Sequence, residues 1–346
     1  MTYAPATFFK AAIIESPEGV AMMAAIRGAA SLLLTTHEGP DGDGIGAQLA
    51  LARALRRMGK RVHVINPGDT LRRFRWMDRD DDIRTWRKDL APIVREVDLA
   101  ILVDTNELRR AGAVGEALES REGPTLAIDH HSPNGHAIPG LIGSDFSSTG
   151  ELMVHVLDAL GTDLTPDLAD LLYTAILFDT NQFRFLRNDP EVLRIAARLV
   201  EAGADAETIG RRLFGTVSKD SMLLMGRVLS SATFELDGRL AWSSVTQQTT
   251  HGLRVDRDEV RSMVNVLSDI EDVEIAVLFK TFQESSVKIS LRSRGRITVG
   301  DIAEKLGGGG HPMAAGADIP GPLEDAVEKT LVLLREKLGS EVVRGP

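Results

Sequence analysis

Short apolar runs alternate with helical periodicity through the first half of the chain. Ser31–Thr36 (SLLLTT), Val97–Thr105 (VDLAILVDT) and Thr125–His131 (TLAIDHH) are apolar runs of strand length, the pattern of a sheet covered on both faces. Arg61–Asn66 (RVHVIN) reads as a further strand and Ala137–Ile142 as a short fifth. Ser16, Pro17 and Glu18 form a helix start, and that helix runs to about Gly28. Apolar residues at helical spacing predict a second helix from about Ile45 to Met58, and another over Asp163–Asp179. Ser148 and Glu151 have the spacing of a capping box, which starts a helix to about Leu160. Pro67–Val97 is charged and poorly periodic. Strands alternating with helices predict an α/β fold: a mostly parallel sheet with helices on both faces.

The second half changes character. From Asn188 to about Gly226 the pattern is helical only. Leu229–Val245 then reads as a hairpin turning at Asp237-Gly238. EIAVLFK and SVKISLRS follow as alternating strands, then a short helix near Ile302, a glycine run (GGGGHPMAAG) and a final helix from about Leu323 to Lys337. These predict a smaller mixed α/β domain. The expected division is a first domain over 1–190, a helical connector over 191–225 and a second domain over 226–346. A length of 346 residues fits two domains, because single cores stop growing at ~250–300 residues.

Composition narrows the chemistry. With no cysteine, disulfides, thiolate zinc sites and cysteine nucleophiles are all excluded. Any metal must be held by histidine and carboxylate, which points to Mn2+ or Mg2+. A net charge of -10 argues against a basic groove for long nucleic acid, so an anionic ligand must be met by a local site. The N-terminal stretch lacks the pattern of a signal peptide, and no apolar run approaches the ~20 residues of a membrane span, so a cytoplasmic protein without membrane contact is expected.

The residues suited to hold metal sit at the ends of elements. The first strand ends in His37-x-x-x-Asp41-x-Asp43, the third in Asp104, the fourth in Asp129-His130-His131, and a helix ends in Asp179. In an open parallel sheet, ligands bind beyond the carboxyl ends of the strands. Taken singly, each has a plainer reading. Asp41–Gly44 could be a turn with a helix cap, Asp104 a cap, the histidines a surface pair and Asp179 a solvated helix end. Their joint placement favours a metal site. So many carboxylates repel one another, and two divalent cations ~3.5–4 Å apart would remove that penalty and clamp a phosphoryl group.

HEGPDGDGIGAQLAL, VDTNE, IDHH and LFDTNQFRF resemble, in order, the four motifs of the DHH phosphoesterase superfamily. GGGGHPMAAG resembles the glycine-rich motif of its DHH-associated C-terminal domain. Histidine and aspartate donors favour Mn2+ over Mg2+ for the two divalent cations, and the resemblance assigns the residues that would hold them. His37 and Asp41 would hold one, Asp43 and His130 the other, with Asp104 bridging and Asp179 completing the pair. Asp129 would orient a histidine or the backbone. His131 would contact the scissile phosphate or protonate the leaving oxygen. In the second domain, glycine backbone can approach an anion and arginine forks suit phosphate. Gly308, Gly309, His311 and Arg292 are therefore the expected substrate-binding residues, with Arg294 on the same face as Arg292 if the strand continues. The plain alternatives are a flexible loop and a solvated edge strand. His63, His136, His155 and His251 fall outside the motifs and are expected to be structural or surface residues.

Within the superfamily the chain resembles the short two-domain group: nano-RNases acting on short oligoribonucleotides, often with 3′-phosphoadenosine 5′-phosphate phosphatase activity. A cyclic-dinucleotide or linear-dinucleotide phosphodiesterase is the alternative, and a non-catalytic nucleotide sensor the alternative of another class. The partners implied are short oligonucleotides or phosphorylated nucleotides, with a homodimer left open.

Overall fold

The computed structural model describes residue 10 and residues 12–133, 135–186, 189–215, 217–283 and 285–342. The first nine residues, which carry much of the stretch read as lacking a signal peptide, lie outside the described residues. The chain divides into two compact units, Met1–Thr216 and Val217–Pro346.

In the first unit the elements follow in order: α1 (Pro17–Gly28), β1 (Ser31–Thr35), α2 (Gly42–Arg57), β2 (Arg61–Asn66), β3 (Ile83–Thr85), α3 (Ala91–Glu96), β4 (Leu99–Val103), α4 (Gly112–Glu119), β5 (Thr125–Asp129), β6 (Gly140–Ile142), α5 (Thr149–Ala159), α6 (Pro166–Asp179), α7 (Glu191–Glu201) and α8 (Ala206–Gly210). Ser16 caps as read, its Oγ accepting from Gly19 N at 3.0 Å, but only half of the capping box at Ser148 forms: Ser148 Oγ accepts from Glu151 N at 3.0 Å, while the Glu151 carboxylate takes Ser147 N at 2.7 Å in place of Ser148 N. The charged stretch 67–97 holds elements its periodicity did not reveal: the three-residue edge strand β3, the short helix α3, and 3-10 turns over Arg72–Met77 and Lys88–Leu90, all too brief to show a period.

The sheet order is β3-β2-β1-β4-β5-β6, and every pairing is parallel. Chain connection reverses direction between β1 and β4, so a crevice opens at their carboxyl ends. All five residues of β1 and of β4 are buried. One apolar cluster covers one face of the sheet with α1, α2, α5, α6 and α7, and a second covers the other face with α3 and α4.

The second unit holds α9 (Lys219–Ser230), β7 (Thr233–Glu235), β8 (Leu240–Val245), α10 (Gln247–Thr250), α11 (Arg257–Ser268), β9 (Ile275–Gln283), β10 (Ser286–Ser293), α12 (Gly300–Lys305), β11 (Gly309–His311), β12 (Ala314–Pro320) and α13 (Leu323–Val342). Its sheet runs β11-β12-β10-β9-β8-β7 and is mixed, with β8 and β9 parallel and the other pairs antiparallel. One face packs on α12 and α13, the other on α9 and α11. Segment 191–225, read as a connector, is shared between the units: α7 contributes Val192, Ile195 and Leu199 to the first core, and α9 contributes Leu224 to the second.

Candidate metal centre

β1 and β4 end side by side, with Thr35 registered to Leu102, so the loops that follow them meet. Asp41 caps α2: its Oδ1 accepts from Asp43 N at 3.0 Å and Gly44 N at 3.3 Å. That cap starts the helix at Gly42, three residues before the apolar period begins, and places Asp43 in its first turn. Asp43 is buried against the N-terminus of α5. Its two carboxylate oxygens accept from Thr149 N at 2.7 Å and Gly150 N at 2.8 Å. Asp104 follows β4 directly with φ 62°, a left-handed backbone that few side-chain-bearing residues adopt. Its Oδ1 accepts from Thr149 Oγ1 at 2.8 Å.

These turns bring the sequence-predicted residues together in two sets. Donor atoms of His37, Asp41 and Asp104 lie within 4.8 Å of one another, as do those of Asp43, His130 and Asp179. His37 Nε2 is 3.4 Å from Asp104 Oδ2. His130 Nε2 is 3.8 Å from both Asp43 Oδ2 and Asp104 Oδ1, and 3.4 Å from Asp179 Oδ2. Asp104 therefore borders both sets. A third grouping of Asp104, His130 and His131 also meets the spacing, which brings His131 closer to the ligand set than the motif order suggests. Asp129 hydrogen-bonds His131: its Oδ1 takes His131 Nδ1 at 2.8 Å and the backbone N at 3.1 Å, while Asn106 Nδ2 donates to Oδ2 at 2.8 Å.

The electrostatics are those of a crowded buried cluster. Burial pushes the Asp43 carboxyl well up, and the charges of Asp104, Asp179 and Asp41 push the same way. Burial also works against ionised Asp104, but the His37 hydrogen bond and the imidazoles of His131, His37 and His130 outweigh it and hold its pKa low. Burial opposes a charged His131, yet the hydrogen bond it donates to Asp129 and the nearby Asp104 raise it to about 9.

The motif reading missed several residues of this site. Thr149 ties α5 to both Asp43 and Asp104. Arg109 and Arg110, with His37 and Glu38, line a cleft of about 400 Å³. The signal was present: two adjacent arginines lie shortly after the aspartate of VDTNE. Buried Lys10 pairs with Glu151 Oε1 at 2.7 Å and Asp189 Oδ2 at 2.5 Å, and its ammonium lies 4.8 Å from the centre of the Phe146 ring. Outside the cluster, His63 faces Arg84 at 3.2 Å and His155 packs edge-on against Phe146.

In the second unit, Arg292 lies in β10 opposite Ala314, and its Nε donates to Asn265 Oδ1 at 2.9 Å. The strand stops at Ser293, so Arg294 does not share its face. The Arg294 guanidinium instead donates to the carbonyls of Ile270 and Glu271. The glycine run is not a loop throughout, because Gly309–His311 pairs with β12 as the edge strand β11. Gly309 registers with Gly316 and His311 with Ala314, which register in turn with Ser290 and Arg292. The side chain of His311 lies outside what is described. Gly308 gives its N–H to Ala303 O at 2.8 Å, and a Cβ there would meet Gly316 O at 2.0 Å. Close backbone approach, rather than a spare donor, is what Gly308 offers.

Residues 31–176 match the DHH family N-terminal domain, and residues 240–340 match the DHHA1 domain. The chain belongs to the DHH family. It is 34% identical over 312 residues to the bifunctional oligoribonuclease and PAP phosphatase NrnA of Thermus thermophilus, covering 89% of this chain and 90% of the relative. The protein of the same name from Bacillus subtilis is 25% identical over 300 residues, covering 84% and 89%. A crystal structure of an exopolyphosphatase-related protein from Bacteroides fragilis superposes with a TM-score of 0.85 at 27% identity, covering 97% of this chain and 98% of that one. The chain is thus a hydrolase of phosphoester bonds.

The DHH unit fits a divalent cation on its own geometry. His37 Nδ1 faces Glu38 O at 3.0 Å and His130 Nδ1 faces Phe146 O at 3.3 Å. A carbonyl partner at Nδ1 fixes the proton there and leaves the lone pair of Nε2 open to a cation, directed at the carboxylates in both cases. Thr36 Oγ1 is buried without a partner beside the cluster. Gly44 leaves space at Asp104 that a side chain would fill, since a Cβ would come 3.2 Å from Asp104 Oδ2. Among the described residues no helix is long and apolar enough to cross a membrane.

Proposed function

We propose that this DHH chain hydrolyses short oligoribonucleotides, dinucleotides upward, to mononucleotides and also removes phosphate from 3′-phosphoadenosine 5′-phosphate. The observation that carries the reading is the pair of His/Asp sets that share Asp104 as a border at the switch point of the sheet. The substrate class is supported by the relatives named oligoribonuclease and PAP phosphatase, which match along most of both chains. His37, Asp41 and Asp104 would hold one divalent cation and Asp43, His130 and Asp179 the other, with Mn2+ favoured by the histidine-carboxylate donors. Bound there, the cations would offset the carboxylate charge, polarise a phosphoryl oxygen and acidify water.

The chain's own residues do the rest. The N-terminus of α5 fixes Asp43 through two backbone N–H groups, and Thr149 fixes Asp104, so the ligands are set before substrate arrives. Asp129 sets the ring of His131, which stabilises charge on the phosphoryl group or gives a proton to the leaving oxygen. The DHHA1 unit supplies ligand binding through Arg292 and the glycine run. Cytoplasmic location belongs to the same reading.

One panel tests it. With Mn2+, labelled di- to pentanucleotides should yield mononucleotides and 3′-phosphoadenosine 5′-phosphate should release phosphate. Longer RNA and cyclic dinucleotides should turn over at least tenfold more slowly. Asp104→Ala should cost ~1,000-fold or more, because both sets lose an oxygen. Binding without turnover would make the chain a sensor, and a preference for cyclic dinucleotides would move it to signalling turnover.

A further inference from the structure

One short segment, residues 146–151, supports most of the set formed by Asp43, His130 and Asp179. Phe146 O faces His130 Nδ1 at 3.3 Å. Thr149 N and Gly150 N donate to the two carboxylate oxygens of Asp43 at 2.7 and 2.8 Å. Thr149 Oγ1 donates to Asp104 Oδ1 at 2.8 Å, and Oδ1 is the oxygen on the His130 side, 3.8 Å from His130 Nε2. The His37 set is held by other means. His37 Nδ1 faces Glu38 O, Asp41 caps its own helix, and the Asp104 oxygen near His37 is Oδ2.

Lys10 ties that segment down. Its ammonium pairs with Glu151 Oε1 at 2.7 Å and lies 4.8 Å from the centre of the Phe146 ring, so it grips the segment at both ends. The other Glu151 oxygen takes Ser147 N at 2.7 Å. The same ammonium reaches Asp189 Oδ2 at 2.5 Å, and Asp189 Oδ1 accepts from Glu191 N at the start of α7. Lys10, Phe146 and Glu151 are all buried. Burying such an ion cluster is a poor way to gain stability, because desolvation offsets the attraction between the charges. What it supplies is one fixed arrangement, since charge-assisted bonds and an aromatic face leave α5 little room to slide.

We propose that Lys10 is a positioning residue for the cation held by Asp43, His130 and Asp179. It keeps residues 146–151 in the placement that sets Asp43, Asp104 Oδ1 and the His130 ring. Affinity at this set depends on Lys10, and affinity at the His37 set does not. This rests on the reading of the two sets as cation sites and adds what fixes the strength of one of them.

The test is Mn2+ titration of the intact chain by calorimetry, with each set isolated by a variant of the other. In His37→Ala, which leaves the His130 set, adding Lys10→Met should weaken Mn2+ binding about tenfold or more, the usual cost of losing a group that orients a ligand. In His130→Ala, which leaves the His37 set, the same change should move the affinity by less than about threefold, the scatter between independent sites. With two equivalents of Mn2+, wild type should show the paramagnetic resonance of a coupled pair and Lys10→Met that of isolated ions. Lys10→Arg, which keeps the charge, should restore most of the affinity. Lys10→Met combined with Glu151→Gln leaves no unpaired charge at Glu151, and should bind no more weakly than Lys10→Met alone because both changes break one link. That double variant carries the test if Lys10→Met does not fold. Unchanged affinity in the His37→Ala background, or equal loss in both backgrounds, overturns the proposal, as does a fall in Tm with both affinities intact. Fewer than two Mn2+ on wild type would bring down the two-cation reading and this proposal together, whereas failure at Lys10 alone leaves that reading standing.

Discussion

Asp104 meets two demands at once. Its left-handed backbone turns the chain sharply after β4 and holds the carboxylate between His37 and His130, where the two ligand sets meet. Strain of that kind costs roughly 1–3 kcal/mol and persists only where surrounding contacts enforce it, here the Thr149 hydroxyl. Gly44 is the neighbour that permits it. A Cβ there would lie 2.8 Å from Thr36 Oγ1 as well as crowding Asp104. Gly44→Ala is therefore expected to weaken Mn2+ binding about tenfold or more and to cost ~1–3 kcal/mol of stability by overpacking. Metal titration by calorimetry checks this, and unchanged affinity would show that the cluster relaxes freely. At this scale the candidate cluster of His37, Asp41, Asp43, Asp104, His130 and Asp179 was legible in the sequence, because His/Asp motifs are local strings. Thr149 and Lys10 were not, because their roles come from partners far along the chain.

Strands β1 and β4 are locked together at their start as well as at their ligand-bearing ends. Asp98 accepts from Ala30 N, Ser31 N and Ser31 Oγ at 2.8–3.0 Å. The backbone and hydroxyl donors of Ser31 hold its carboxyl below the usual range. A depressed carboxylate contributes stability above its unfolded pKa and loses it as pH falls through the folded value. Wild type should thus exceed Asp98→Ala in Tm at pH 7, with the gap closing below pH ~4. A gap that persists at pH 2 would mean that the side chain acts through packing. Element boundaries were legible where apolar runs were long, as in β1 and β4. They were missed where a cap or an edge decided them: Asp41 moved the start of α2, and pairing with β12 turned half the glycine run into β11.

At the scale of the molecule, two units each carry their own cores. Such chains commonly depart from two-state unfolding. Scanning calorimetry should resolve two transitions. Mn2+ at ~100 times its dissociation constant should raise the first unit's by about 2.7 kcal/mol and leave the other unmoved. A single transition moved by Mn2+ would show that the units unfold together.

Sequence by itself determined the α/β class, the two-part organisation, the absence of thiol chemistry and the residues able to hold metal. Each of these depends on composition or on neighbours within a few positions. Strand order did not follow from it, since β1 beside β4 is a pairing between segments more than sixty residues apart, and that pairing is what gathers His37, Asp41 and Asp43 with Asp104. Nor did the burial of Lys280, an ordinary lysine in an alternating strand until α11 and β10 close around it. Periodicity encodes which face a residue takes; only packing decides what charge it meets there.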